Sequence, residues 1–178
     1  LFGWKREDGR RRFRRAYIEQ GKGNGKSPLI AGIGLYGMSS DNEPGAQIYA
    51  AASTMDQSRV LFEDAVKMAK KAPELRRRIT FRGKARVDRM TIFGKPQAGS
   101  FFIPLSRETR KRGSGPRPHM ALCDEVHEYH DGLTIDMLER GFKSRRQPLL
   151  VMITNSGSDR NSVCFEEHTH AVRVAHGD

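Results

Sequence analysis

The amino-acid sequence predicts an α/β fold in which helices flank a largely parallel central sheet. Three observations indicate this fold: short apolar runs alternate with helical patterns, two apolar runs end in polar residues, and Gly or Pro separates the segments. Parallel strands need crossover connections, which are usually helices. We expect one domain over residues 1–178, because a chain of 178 residues buries one substantial core and is too short for several.

The N-terminal part of the chain predicts strands that alternate with helices. Its first three segments are a strand over residues 11–20, a helix over 26–38 and a buried strand over 45–53. Thr54 is a predicted cap for the next helix, and Gln57 stands at the position of its capping-box partner. That helix carries an apolar stripe typical of core packing, and we expect Pro73 to close it.

The C-terminal part begins with short extended runs between residues 78 and 106, which predict β-structure. Residues 119–129 and 148–158 each pass from an apolar segment into polar residues, as central strands do when their carboxyl ends carry a site. A helix is predicted between them, over residues 133–142. The polar ends of these strands would converge at one edge of a parallel sheet.

The charge of the chain favours a phosphate-bearing partner. Its formal net charge is +11 and its pI is about 10.1. The basic residues concentrate in four clusters, at 10–15, 76–78, 107–117 and 143–146. Such clusters suit phosphate backbones, so nucleic acid or a nucleotide is the preferred partner. The solvated face of an ordinary basic protein remains the alternative, since a charge run fixes no partner.

Compartment and membrane association follow from features that the sequence lacks. No apolar run approaches the roughly 18 to 20 residues that span a membrane, so we expect no membrane partner. The first residues, LFGWKREDGRRRFRR, have no continuous apolar core of a secretory signal. Only two cysteines occur, Cys123 and Cys164, which favours a reducing cytoplasm.

The stretch QGKGNGKS, residues 20–27, ends like a phosphate-binding loop. The usual pattern is G-x-x-x-x-G-K-[ST], and its first glycine position holds Gln20. Lys26 would reach the β- and γ-phosphates, and Ser27 would ligate Mg²⁺. The remaining predicted nucleotide-binding residues are Gly21, Lys22, Gly23, Asn24 and Gly25. A glycine turn with a solvated lysine is the alternative interpretation.

The acidic pair in LCDE favours the phosphate-binding interpretation of the loop over a simple glycine turn. Asp124 follows an apolar strand, as in a Walker B site, where it would hold Mg²⁺ directly or through water. Glu125 is the next residue and is the candidate catalytic group, because a carboxylate there would orient or deprotonate the attacking water. Two carboxylates that begin a solvated turn are the alternative. The two motifs together predict a site for ATP and Mg²⁺.

Histidines offer a rival interpretation as a transition-metal site. His127 and His130 follow the acidic pair, and His168, His170 and His176 lie near the C-terminus. HEYH is one residue short of the H-E-x-x-H pattern, so zinc is the weaker interpretation. We expect these histidines to face solvent or to bond neighbouring carboxylates.

Together these residues resemble the ATPase domain of the large terminase subunit of tailed bacteriophages, the motor that packages DNA into proheads. The resemblance covers nearly the whole chain. It rests on FGWKREDGRRRF, NGKS, YAAASTMDQSRVLFEDA, PRPHMALCDEVHE and QPLLVMITNSGS. In this family the first loop glycine is commonly absent, so Gln20 is compatible with membership, and Lys22 resembles a basic position before NGKS. Gly23 departs from the lysine or arginine often found there.

The resemblance implies a RecA-like P-loop fold of the additional-strand, catalytic-glutamate type. It places Lys26, Ser27, Asp124 and Glu125 in the roles described above. It also implies that Thr154, Asn155 and Ser156 form the coupling motif, which senses the γ-phosphate and passes its loss to the rest of the motor. A polar turn after a buried strand is the alternative for ITNSG.

A trans-acting arginine is a further implication, because ring ATPases of this kind often stabilise the transferring phosphoryl group from a neighbouring subunit. The basic loop offers Arg107, Arg110, Arg112 and Arg117. Arg112 is the first candidate. Contact with the DNA backbone and plain solvated charge remain alternatives for this loop.

The predicted function is therefore ATP hydrolysis that drives double-stranded DNA into proheads, in the cytoplasm of a bacterial host. The expected partners are DNA, a homo-oligomeric ring at the prohead portal and a small terminase subunit. Another nucleic-acid-dependent P-loop ATPase or helicase, and a basic binding module without turnover, are the alternatives. We expect the chain to be a fragment, because the RNase H-like nuclease domain normal in the family is not recognisable in residues 1–178.

Overall fold

The fold was obtained as a computed structural model, which describes residues 1–105 and 115–177. Over these residues it contains seven strands, five helices and two short 3-10 turns, at Val126–Glu128 and Gly141–Ser144. The strands are β1 Arg15–Glu19, β2 Gln47–Ala51, β3 Ile79–Arg82, β4 Arg89–Ile92, β5 Phe101–Pro104, β6 Met120–Asp124 and β7 Leu149–Thr154. The helices are α1 Lys26–Ser39, α2 Met55–Lys71, α3 Pro73–Arg78, α4 Leu133–Arg140 and α5 Val163–His176.

The strands form one sheet in the order β1-β7-β6-β2-β5-β4-β3. The first five in this order are parallel to one another, whereas β4 runs antiparallel to both β5 and β3. Glu19 pairs with Thr154, and Asp124 pairs with Ile153, so β1, β6 and β7 end side by side. The predicted fold, a largely parallel sheet with flanking helices, is confirmed.

The core lies on both faces of the sheet, which explains why β6 and β7 are apolar along their whole length. On one face α1 and α2 pack against the strands, with the rings of Phe62 and Phe102 edge to face at 5.4 Å. On the other face α4 and α5 cover a second cluster. Gly37 permits the close approach of α1, because a Cβ there would stand 2.2 Å from Met120 Sδ.

Most of the predicted elements are present, and two differ from expectation. The strands and helices predicted from the loop to residue 158 are found, and their ends differ by a few residues. Helix α2 ends at Lys71, just before Pro73, as expected, but Pro73 also begins the short helix α3, which was not predicted; a missing N–H costs nothing in that first turn. Helix α5 was not predicted. Only Cys164 is buried along α5, so its sequence has no apolar stripe to indicate a helix.

Thr54 caps α2 as predicted, within a complete capping box. Its hydroxyl accepts from the backbone N–H of Gln57 at 3.3 Å, and the Gln57 side chain accepts from the Thr54 N–H at 3.1 Å. We expect Thr54→Ala to lower the free energy of unfolding by about 1 kcal/mol, because the first-turn N–H of Gln57 loses its acceptor.

Urea denaturation of the two proteins measures this loss as a shift of the midpoint. Thr134→Ala is the matched control, because Thr134 lies in α4, which begins without a side-chain cap. Equal midpoints for Thr54→Ala and the unmodified protein would show that the capping box does not stabilise α2.

A buried polar cluster lies near the amino ends of the strands, opposite the carboxyl ends of β6 and β7. The Asp41 carboxylate, 7% exposed, pairs with the guanidinium of Arg11, which is 1% exposed. His119, fully buried, places Nε2 2.7 Å from Asp41 Oδ2. Gln147 bridges the two chain segments, since its side chain bonds the Asp41 carbonyl at 3.1 Å and the Arg11 N–H at 3.3 Å. The cluster fastens the N-terminal segment to the sheet.

Within the described part of the chain, no helix has the length and apolar character needed to cross a membrane.

Candidate nucleotide-binding site

The glycine loop connects β1 to α1 at the carboxyl edge of the sheet. Gly23 and Gly25 have φ values of 84° and 74°, a region that side chains with a Cβ rarely adopt. Gln20 is not among the described non-glycine residues with positive φ, so its position does not require glycine. Its N–H donates to the Thr154 carbonyl at 3.0 Å. The loop is thus fastened to β7 through the residue that departs from the usual motif.

Helix α1 presents its N-terminus to the loop. Gly25 is the N-cap residue, no side chain caps the helix, and its first turn has no acidic residue. The free N–H groups and the helix dipole make such an N-terminus favourable for an anion, and the loop glycines let an anion approach the backbone closely. This end of α1 therefore has the character of a phosphate site.

The ammonium of Lys26 lies where the loop meets the ends of two strands. Lys26 is 6% exposed, and its Nζ donates to the carbonyls of Gln20 at 3.2 Å and Gly21 at 3.4 Å. It also bonds Asn155 Oδ1 and lies 3.9 Å from Glu125 Oε1. All three donors of the ammonium thus have acceptors nearby, and the lysine is held at the site rather than solvated.

Ser27 and Asp124 form a pair of oxygen groups beside Lys26. The Ser27 hydroxyl donates to Asp124 Oδ2 at 3.4 Å. Burial, and then the neighbouring charge of Glu125, raise the pKa of Asp124, which is 6% exposed. A cation would offset both effects, and a carboxylate with a hydroxyl is a donor set that suits Mg²⁺. The residues present therefore fit the predicted ion.

Glu125 adopts an unusual backbone conformation directly after β6. Its φ is 48° and its ψ is 54°, the left-handed region, which a non-glycine residue adopts at a cost in free energy. Its backbone N–H donates to Asp124 Oδ1 at 2.9 Å, which holds the Asp124 carboxylate in place. Its Oε1 faces Lys26 and its Oε2 lies 3.3 Å from His127 Nδ1. Glu125 therefore stands beside the predicted phosphate position.

The three residues predicted to form the coupling motif lie at the same edge, with different contacts. Thr154 is fully buried and its hydroxyl donates to the Asn155 carbonyl at 2.9 Å. Asn155 reaches Lys26. Ser156 donates to Glu19 Oε1 at 2.6 Å. The hydrogen bond from Ser156, with a further one from His168, lowers the pKa of Glu19.

Not every predicted residue takes part in these contacts. Lys22 and Asn24 are exposed on the loop. Arg112, the candidate trans-acting arginine, lies outside the described residues, as do Arg107 and Arg110. Arg117 is described and exposed, and its carbonyl accepts from Arg145 Nε at 3.0 Å. The roles of these side chains stay predictions.

The rival metal interpretation finds no support in the placement of the histidines. Across residues 1–105 and 115–177, no group of three or more His, Cys, Asp or Glu side chains has the arrangement of a metal site. His168 bonds Glu19 at 2.8 Å. His127 contacts both Glu125 and Thr154.

The sequence did not predict that Glu19 and His127 belong to this site. Glu19 ends β1 and bonds Ser156, which is 137 residues away in the sequence. His127 bonds Thr154 across 27 residues. Both residues stand next to a recognised motif, and this proximity was the only signal available in the sequence. Their partners are set by the alignment of strand ends, which a local pattern does not contain.

A glycine loop that enters a helix N-terminus, beside an acidic strand end in a parallel sheet, defines a P-loop nucleotide-binding protein. The family described as "Terminase large subunit, ATPase domain" matches residues 1–173, so this chain belongs to that family. The resemblance predicted from the sequence is thereby confirmed.

Two solved structures are similar in fold to this chain. The crystal structure of the HK97 bacteriophage large terminase matches with a TM-score of 0.77 and 24% identity, over 95% of this chain and 34% of that one. The large terminase of a thermophilic bacteriophage, in complex with ADP, matches with a TM-score of 0.59 and 14% identity, over 79% of this chain and 33% of that one. These two likenesses show the fold.

A sequence relative is Protein YmfN of Escherichia coli (strain K12), which is 32% identical over 73 residues. That match covers 41% of this chain and 16% of YmfN. The matched regions thus span about a third of the HK97 terminase and less than a fifth of YmfN.

Proposed function

We propose that this chain hydrolyses ATP with Mg²⁺ and thereby drives double-stranded DNA into viral proheads, as the ATPase domain of a large terminase subunit. The observation that carries the proposal is the convergence of Lys26, the Ser27–Asp124 pair and Glu125 at one edge of the sheet. This constellation combines phosphate binding, a place for a hard cation and a general base, which are the parts that hydrolysis of a nucleoside triphosphate needs.

ATP binding would use the loop and the start of α1. The backbone N–H groups near Gly23 and Gly25 would cradle phosphate oxygens. Lys26 would exchange the acceptors that it now has for the β- and γ-phosphates, because anionic phosphate oxygens are stronger acceptors than neutral carbonyls. This exchange would also release Asn155 from its hydrogen bond with Lys26.

Ser27 and Asp124 would hold Mg²⁺, because these are the residues that the resemblance assigns to the ion. When bound, the ion would supply positive charge that stabilises the negative charge developing on the phosphate oxygens. Glu125 would accept a proton from the water whose oxygen forms the new bond to the γ-phosphorus. The bond from that phosphorus to the β,γ-bridging oxygen breaks, and the products are ADP and inorganic phosphate.

Force on DNA requires a link from this chemistry to a DNA-binding surface. Thr154, Asn155 and Ser156 stand at the end of β7, between the loop and Glu19, in a position suited to sense phosphate loss. Exposed basic residues that suit a DNA backbone lie on α2, on α3 and in the turn after β3, namely Lys70, Lys71, Arg76, Arg77 and Lys84. A homo-oligomeric ring at the portal, Arg112 as its trans-acting arginine, a small-subunit partner and a location in the host cytoplasm complete the proposal.

Phosphate release from ATP tests this function. It should be measured over a wide range of protein concentration, with Mg²⁺ and with a chelator, and with and without duplex DNA. A mock preparation from cells that lack the chain controls for contaminating ATPases. Turnover that needs Mg²⁺ and rises per subunit with concentration supports the proposal and a residue supplied in trans. ATP binding without turnover at any concentration contradicts it and favours a binding module.

A further inference from the structure

His127 stands between the predicted catalytic carboxylate and the end of β7. It lies in the 3-10 turn that follows β6, and its backbone N–H donates to Thr154 Oγ1 at 3.1 Å. Its ring nitrogen Nδ1 lies 3.0 Å from the same hydroxyl and 3.3 Å from Glu125 Oε2. One ring nitrogen therefore faces both groups.

The hydrogen bonds of Thr154 indicate which ring nitrogen of His127 carries the proton. A threonine hydroxyl has one proton to donate, and that of Thr154 goes to the Asn155 carbonyl at 2.9 Å. Its oxygen is then an acceptor towards His127, so Nδ1 must carry the N–H. This N–H faces two acceptors, Thr154 Oγ1 and Glu125 Oε2. Nε2 is on the other side of the ring, 4.0 Å from Glu128 Oε1.

The Glu125 carboxylate needs such a donor. Among the described residues, Glu125 Oε2 is a buried oxygen with no hydrogen-bond partner of good geometry. A buried acceptor without a partner carries a desolvation penalty, and a small rotation of the imidazole would remove it. After this rotation, the Nδ1–H would donate to Glu125 Oε2 instead of Thr154 Oγ1.

We propose that His127 is a positioning residue for Glu125, which it orients through Nδ1–H and joins to Thr154. This inference rests on the proposed ATPase function. The contacts close a ring of interactions, from Glu125 through His127, Thr154 and Asn155 to Lys26, which returns to Glu125 at 3.9 Å. If a phosphate displaced Asn155 from Lys26, the change would therefore be transmitted to Glu125 through Thr154 and His127.

The tautomer of His127 can be measured without any turnover, by NMR of protein labelled with ¹⁵N-histidine. The resonance is assigned by its loss in His127→Asn. We expect Nδ1 to be protonated, and we expect Glu125→Ala to shift the Nδ1 resonance. Glu128→Ala is the matched control, because Glu128 faces Nε2, and it should shift the Nδ1 resonance much less than Glu125→Ala does. An unprotonated Nδ1 in the neutral ring, or no response to Glu125→Ala, overturns the proposal.

Activity then separates positioning from a merely structural role. An asparagine amide can take the place of Nδ1, whereas a glutamine amide reaches the place of Nε2. We expect His127→Asn to keep kcat within about threefold, and His127→Gln and His127→Ala to lower it about tenfold or more, since a misplaced catalytic group can cost that much. The ATP dissociation constant should stay within about twofold in all three. His130→Asn, at an exposed histidine, should have no effect.

Three results would contradict the proposal in a protein that turns over ATP. They are equal activity in all the variants, an asparagine variant as impaired as the alanine variant, or a loss that appears only in ATP binding. The comparison of asparagine with glutamine is decisive if alanine lowers the melting temperature, because both are amides. In a Glu125→Gln background His127→Ala should cause little further loss, since the two residues act as one unit. Absence of turnover in the unmodified protein would instead reject the proposed function, and the NMR result would still decide the role of Nδ1.

Discussion

Replacing Glu125 by glutamine is expected to lower kcat for ATP hydrolysis by about 10²-fold or more, within the range that general-base catalysis contributes. Glutamine has almost the same shape as glutamate and no carboxylate to accept a proton from water. The left-handed backbone at this position is equally costly for both residues, so the fold should be retained. The substitution therefore isolates the chemical role of the carboxylate.

ATP binding is expected to remain, and to become somewhat tighter, in Glu125→Gln. Glu125 Oε1 lies 3.9 Å from the Lys26 ammonium and competes with phosphate for it. Phosphate release at saturating ATP and equilibrium binding of ATP, measured on the same preparations, separate the two effects. Glu128→Gln is the matched control, because Glu128 is an exposed carboxylate three residues further along. A Glu125→Gln protein that hydrolyses ATP at the unmodified rate would exclude Glu125 as the base.

The fold and the centre of the site were predictable because their signals are local. The apolar runs of β6 and β7, the capping box at Thr54 and the glycine loop each lie within a few neighbouring residues. The left-handed backbone of Glu125 was not predictable, since glutamate has no preference for it. The contacts of His127 and Glu19 were missed for a different reason, because they depend on the register of β1, β6 and β7.

The basic clusters contain arginines with structural partners that the sequence does not reveal. In the cluster at residues 10–15, Arg11 is buried against Asp41, and Arg15 pairs with Glu139 and Glu167. Arg145, in the cluster at 143–146, binds Glu43 at 3.3 Å. A run of arginines predicts exposed charge only when acidic partners are absent, and these partners lie far away in the chain. Part of the positive charge is therefore structural.

The largest expected effect on stability follows from this buried pairing. We expect Asp41→Ala to lower the free energy of unfolding by about 3 to 5 kcal/mol, because it leaves a buried guanidinium without its counter-charge. Few other contacts could compensate the charge of Arg11. Its Nε and Nη1 have no hydrogen-bond partners among the described residues, and the Phe2 ring lies 5.1 Å from its Cζ. Urea denaturation measures the loss, with Asp88→Ala, at an exposed aspartate, as the control.

A double-mutant cycle separates the buried charge from the other functions of Asp41. Asp41→Asn keeps an acceptor for His119 and removes the counter-charge of Arg11, so it should destabilise the fold by itself. Arg11→Met in that background removes the uncompensated charge and keeps an unbranched side chain against Phe2, so it should restore part of the lost stability. Costs that simply add would mean that the two residues are not coupled. Recovery would show that the arginine-rich N-terminal segment is held to the sheet by one compensated charge, and that Arg11 contributes to the fold rather than to the binding of phosphates.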